Sequence, residues 1–221
     1  MRKKRKFYVV IALLAALGLV LTSLTGAFTG IFGQQELGHP EPEWGLEEYL
    51  RYFQQQSDAL LKDLEDDPED PIKLEYLADI YFEKGFLYGY LGDFEKSAIK
   101  IAQSFEVYQD ALELNPDDID LGIKTAMAAQ YAGEHTVAEQ IFKETQGKDP
   151  GHPNTYYVYG AFLHDTEDLE GAIQQWEAML ALEDDFDREK YPNVDPQNFV
   201  KAAELLEHVR EQLEGEDEDD D

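Results

Sequence analysis

Apolar residues recur at three- and four-residue steps through most of the chain beyond residue 45. Leu46, Leu50, Phe53, Leu60 and Leu64 keep that spacing, Ser57 completes the stripe, and one helix is predicted over 46–64. It runs into Glu65-Asp66-Asp67-Pro68-Glu69-Asp70-Pro71, where prolines and clustered acids break helical order. The helix is expected to pack against the segment that follows. Near the other end Phe199, Ala202, Leu206, Val209 and Leu213 form a second stripe, behind Asp195 as N-cap and Pro196 as a preset first position. Between the two stripes, Ile119 to Asp184 holds two units of 34 residues each. Ala126, Ala138, Phe142 and Pro150 recur one period later as Gly160, Ala172, Trp176 and Asp184. Small residues at the first two marks let two helices approach closely, and the aromatic fills the gap between them. Each unit is therefore a helical hairpin, with turns expected at Gly133-Glu134 and Glu167-Asp168.

These marks resemble the tetratricopeptide repeat (TPR), whose pattern runs W-x2-L-G-x2-Y, A-x3-F and P. The third unit carries it as Tyr156, Tyr159, Gly160, Leu163, Ala172 and Trp176, the second as Thr125, Ala126, Ala129, Ala138, Phe142 and Pro150. Gly122 departs from the pattern where a large aromatic is expected, and Asp184 replaces the closing proline. The resemblance implies an all-α fold, a right-handed superhelical stack of hairpins. The last helix serves as its cap, covering the open end of the stack and turning a polar face to water.

A first unit begins near Pro71 and is longer. Ala78 precedes Ala126 by 48 residues, while Gly92 precedes Gly133 by 41, so each helix of this hairpin gains seven residues. Seven residues are close to two turns, and both helices lengthen without rotating their apolar faces apart. The hairpin is expected to project, with Phe86, Tyr88, Tyr90 and Phe94 either packed within it or presented at its tip.

The first residues read differently. Arg2 to Lys6 are all basic and precede an uncharged run from Phe7 to Gln35. That run is long enough for a transmembrane helix, and the basic cluster should stay in the cytoplasm. A cleavable signal peptide has the same order. The length of the run and its single weak small-residue site, Thr25-Gly26-Ala27, favour a retained anchor. The expected organisation is a cytoplasmic basic segment 1–6, a transmembrane anchor 7–32, a linker 33–45 and a flanking helix 46–70. The elongated first repeat 71–118, repeats 119–152 and 153–186, a capping helix 195–214 and a disordered acidic tail 215–221 follow. This places the chain in the cell membrane of a bacterium as a single-pass protein with its repeats outside the cytoplasm.

Composition sharpens the reading. Five of the 18 basic residues lie in the first six positions, which leaves 13 against 48 Asp and Glu. Phosphate recognition needs a basic surface, so nucleic acid is excluded as a partner. With no cysteine, neither disulfides, nor thiolate metal sites, nor a cysteine nucleophile are available. No phosphate-binding loop, nucleophile elbow or paired-histidine metal motif occurs, and the five histidines are scattered. Acidic clusters lack the EF-hand spacing. No enzyme activity, no cofactor and no small-molecule substrate are expected.

What remains is a binding surface. The resemblance implies that positions two, five, nine and twelve of each unit line a concave groove. These are Asp120, Ile123, Met127 and Gln130 in the second unit, and Asn154, Tyr157, Ala161 and His164 in the third. The elongated unit contributes Ile72, Glu75, Asp79 and Phe82. The family's carboxylate clamp needs lysine and asparagine where Ile123 and Met127 stand, so capture of a terminal carboxylate is disfavoured. Ile123, Met127, Tyr131 and Tyr157, rimmed by Glu75, Asp79 and Asp120, suit an extended protein segment with apolar and basic residues. The expected function is a membrane-anchored scaffold or holding chaperone. The alternative is a structural subunit of an envelope assembly or a self-associating module.

Overall fold

The computed structural model describes residues 45–219, and side chains up to Glu214. The anchor expected at 7–32 and most of the linker lie outside the described residues. Among the described residues there is no strand, and no helix is long and apolar enough to cross a membrane. The helices are α1 (Leu46–Asp66), α2 (Pro71–Tyr90), α3 (Phe94–Leu114), α4 (Ile119–Ala132), α5 (His135–Lys148), α6 (Pro153–Asp165), α7 (Leu169–Leu180) and α8 (Gln197–Asp219). A short 3-10 turn covers Glu183–Asp185.

The chain divides into two units at Gln55/Gln56. Of the first, the described part is the start of α1, where Phe53 packs against the rings of Tyr49 and Tyr52. The second unit holds the rest of α1 and all seven later helices. There Leu60 and Leu64 are buried.

Local chemistry sets the boundaries. Asp70 caps α2 by accepting from Ile72 N at 3.0 Å and Lys73 N at 3.1 Å, with Pro71 opening the helix. Asp93, Asp118 and Asp168 cap α3, α4 and α7 in the same way. Each hairpin turns through one left-handed residue: Gly92 at φ 79°, Gly133 at φ 86° and Glu167 at φ 70°. Glu167 stands one period after Gly133 and adopts a conformation that costs a residue with a Cβ about 1 kcal/mol. Glu167→Gly is accordingly expected to stabilise the domain by about 1 kcal/mol, raising Tm by about 3 °C. An unchanged or lower Tm in a thermal melt would count against the strained turn.

Packing follows the small-small-large sets. Ala126, Ala138 and Phe142 are fully buried, as are Ala172 and Trp176 in the next hairpin. The larger ring is matched by a smaller partner, since a Cβ on Gly160 would meet Trp176 Cδ1 at 2.7 Å. Gly122, where the repeat pattern has an aromatic, lets α4 lie against Thr145 of α5, whose Oγ1 would be 2.5 Å from an added Cβ. In the long hairpin the set occurs twice. Gly85 lies against Ile101 seven residues before the turn, the offset that separates Ala126 from Gly133. A heptad further from the turn, Ala78, Ser104 and Tyr108 repeat it, and Ser104 Oγ donates to Ala78 O at 2.8 Å.

With 20 and 21 residues against 12 to 14 in the other hairpin helices, α2 and α3 are about 10 Å longer. Their tip aromatics divide. Phe86 is half-buried and Tyr88 carries Lys96 5.3 Å above its ring, while Tyr90 and Leu91 are exposed and Phe94 is 74% exposed. Phe199, Ala202, Leu206 and Val209 of α8 enter the same core as Trp176 and Met179. The helix continues to Asp219 rather than giving way to a disordered tail at Gly215. No proline follows Leu213 to stop it.

Candidate functional site

The first helices of the hairpins, α2, α4 and α6, carry the residues predicted for the groove. Their face divides into three stretches with different chemistry.

Between α2, α3 and α4 lies a cluster of charges. Lys124 Nζ donates to Glu75 Oε1 at 2.8 Å and to Asp79 Oδ2 at 3.0 Å. Tyr108 of α3 also donates its hydroxyl to Asp79. Asp79 is therefore buried and doubly engaged, not presented to a ligand. Burial works to lower the Lys124 pKa, but Asp79 and Glu75 overcome it and hold the ammonium above its ordinary value. Burial pushes Glu75 up despite Lys124. With two carboxylates sharing one ammonium, the direction that governs the cluster is that of a protonated Lys124. One turn along α2, Glu83 is 2% exposed and its Oε2 has no hydrogen-bond partner. Burial, reinforced by Asp79, raises its carboxyl to about 8.

Towards the hairpin turns an aromatic platform bridges the first two units. Phe82, Phe86 and Tyr131 meet edge to face, with centroids 4.8, 5.5 and 5.0 Å apart. Tyr131 is 43% exposed, so the platform has an open side. Beside it Gln130 Nε2 donates to Asp165 Oδ2 at 3.0 Å, and His164 Nδ1 lies 3.7 Å from Asp165 Oδ1. Met127 and Ala161 are half-buried and pack on the core beneath.

The N-terminal ends of α4 and α6 are closed by the chain itself. The segment between α7 and α8 returns across them. Asn193 Nδ2 donates to Asp120 Oδ2 at 2.8 Å, and Asn198 Nδ2 to Asn154 Oδ1 at 3.1 Å. Tyr191 stands edge-on to His152 at 5.1 Å and donates its hydroxyl to Asp149 at 3.2 Å. Tyr157 is half-buried, its backbone oxygen accepting from Trp176 Nε1 at 3.2 Å. Burial raises the Tyr157 phenol, with help from Asp195 in the returning segment. Ile123 is buried, at 6% exposure.

The structure thus brings Met127, Gln130, Tyr131, Ala161 and His164 to an open face. It turns Asp79 and Ile123 inward, and it engages Asp120 with the returning segment and Asn154 with Asn198 in the first turn of α8. Sequence reading passed over Glu83, Tyr108 and Lys124, although Lys124 is the lone Lys or Arg between Lys100 and Lys143 and the Glu75, Asp79 pair is spaced for one helix face. Asn193 carried no signal, since it lies 73 positions from Asp120. Among the described residues no group of three or more His, Cys, Asp or Glu is placed to hold a metal ion.

No protein-family model matches the chain, and no curated protein matches it in sequence. Solved structures do resemble it in fold. TTC0263, a thermophilic TPR protein of Thermus thermophilus, superposes with a TM-score of 0.54 at 18% identity, over 93% of this chain and 96% of its own. PcrH in complex with the chaperone binding region of PopD gives 0.43 at 17% identity, over 60% of this chain and 90% of its own. MamA gives 0.47 at 15% identity, over 76% and 95%. The chain has the TPR fold.

Proposed function

We propose that this protein is a scaffold or holding chaperone that binds an extended protein segment on the open face of α4 and α6 and the adjoining part of α2. The observation that carries the reading is Tyr131. It is an exposed ring held rigid by Phe82 and Phe86, where the first helices of the first two hairpins meet. A rigid aromatic at the edge of a dry cluster is the kind of anchor on which binding energy concentrates. Asp165 beside it, and an overall excess of acid, select basic residues flanking the apolar one. Binding needs no cofactor and no chemical step.

The uncharged run behind the basic cluster supports a membrane-anchored, extracytoplasmic placement for this scaffold. Retention of the full chain in alkali-washed membranes, with the repeats open to protease from the outer side only, is the expected result. A soluble full-length chain would remove the anchor.

The groove reading is tested on an array of extended peptides of mixed apolar and basic composition. Tyr131→Ala is expected to weaken the retained sequences about 30-fold, roughly 2 kcal/mol, when compared at a temperature where both proteins are folded, with Tm lowered only by the few degrees that losing two ring contacts costs. Equal binding by both proteins would remove the platform as the site. The assembly reading has its own observation in the tip of the long hairpin, where Leu91 and Phe94 are exposed on either side of the turn. A molar mass constant over a wide concentration range in light scattering would count against self-association.

A further inference from the structure

The segment between α7 and α8 does more than connect them. It runs Asp187-Arg188-Glu189-Lys190-Tyr191-Pro192-Asn193-Val194-Asp195-Pro196, a succession of turns in which acidic and basic side chains alternate ahead of an aromatic and an amide. Its Arg188, Lys190, Tyr191 and Val194 are of the basic and apolar types proposed above for a bound partner. Its side chains reach the first turn of α4 and the residues leading into α6: Asn193 donates to Asp120 at 2.8 Å and Tyr191 to Asp149 at 3.2 Å, while Asn198, in the first turn of α8 just beyond it, donates to Asn154 at 3.1 Å. Its aromatic ring lies on His152, and Lys190 reaches to 3.8 Å from Asp149. Tyr191 and Val194 are 8% and 2% exposed, so the segment is seated rather than draped.

The seat is nevertheless imperfectly filled. His152, whose ring carries Tyr191, is 6% exposed and its Nδ1 is buried without a hydrogen-bond partner. Buried polar atoms are rarely left so, and this orphan adds to the cost of the closed arrangement. An occupant with an acceptor at that point would satisfy it.

We infer that residues 187–196 are an intramolecular ligand. The N-terminal ends of α4 and α6 accept in its place a partner segment of the same kind, an aromatic ring followed two residues on by a side-chain amide. This rests on the groove reading and extends the recognition surface from Tyr131 down to Asp120. Tethering gives the internal segment an effective concentration of order millimolar, so a free segment competes only when the tether's hold is weakened or when it is itself anchored at Tyr131.

The test uses the full chain and a labelled peptide covering residues 186–197. The double variant Tyr191→Ala, Asn193→Ala is expected to bind it at least tenfold more tightly than the wild type, and adding Asp120→Ala to reverse the gain. No gain in a variant that keeps its helical circular dichroism and thermal transition would make the segment a fixed brace and overturn the inference. Should the double variant unfold, Asn193→Ala alone is expected to speed tryptic cleavage after Lys190 at least tenfold over the control Glu204→Ala, and equal rates would overturn it. An array peptide that depends on Tyr131 serves as reference. If it still binds while the 186–197 peptide does not, the internal-ligand inference alone falls; if neither binds, the groove reading falls with it.

Discussion

A chain ending before Gln197 should lose cooperative unfolding or melt at least 15 °C lower than the full protein. Phe199, Leu206 and Val209 are buried in the core that contains Trp176, Met179 and Phe162. Burying each such side chain contributes about 2 kcal/mol. Their joint loss is roughly 6 kcal/mol, comparable with the whole stability of an ordinary domain. The truncation also leaves part of the last hairpin uncovered, which in a short stack has no further repeat to shield it. Leu206→Ala supplies a milder version, expected to cost about 3 kcal/mol. A truncated chain that melts within a few degrees of the full one would mean that α8 is an appendage and not a cap.

The second large effect is a dependence of stability on pH to which buried Glu83 contributes a separable share. Glu83 is raised from an ordinary 4.5 to about 8, burial being the main cause and Asp79 the next. Below about pH 4.5 the carboxyl is protonated in both folded and unfolded chains, and no penalty arises. Between 4.5 and 8 folding takes up a proton, so stability falls as pH rises. Above 8 the folded protein holds a buried carboxylate and the full penalty is present, on the order of 4 kcal/mol. Glu83→Gln should flatten that window, leaving the variant close to wild type in acid and several kcal/mol more stable at pH 9. Lys84, lowered to about 8 mainly by burial, and the Tyr90 and Tyr108 phenols, raised by burial, are the same in both proteins, so the difference between the two curves isolates Glu83. Parallel stability curves from denaturant unfolding across pH 5 to 9 would place Glu83 in water.

How far the sequence reveals this molecule depends on which physical rule each feature obeys. The hairpins were legible because close helix packing demands small residues at fixed spacing, and Ala126, Ala138 and Phe142 recur in phase as Gly160, Ala172 and Trp176. The turn at Glu167 was legible from its period despite lacking a glycine. The extra heptad of the first hairpin could be counted from Ala78 and Gly92. The buried Glu83 was not legible, because a carboxylate on a helix reads as a solvated face. What defeats that rule is that α2 is enclosed: Leu77 to Gly85 are buried apart from the half-buried Tyr81. The run of apolar residues on either side of Glu83 and Lys84 is the sequence trace of that enclosure. Nor could the groove be divided from the sequence. Asp120, Ile123 and Met127 look alike in register, and only the return of Asn193 separates a closed end from an open one. That contact joins residues too far apart for periodicity to link.

Recognition of a protein segment by the open face around Tyr131 is what we propose for this molecule. It is tested most directly by placing a photoreactive residue at Tyr131 in living cells, with Glu207 on the exposed side of α8 as control. A discrete protein adduct from position 131, absent from position 207, is expected, with a crosslinked segment that combines apolar and basic residues. No adduct from position 131, or the same adducts from both positions, would contradict it.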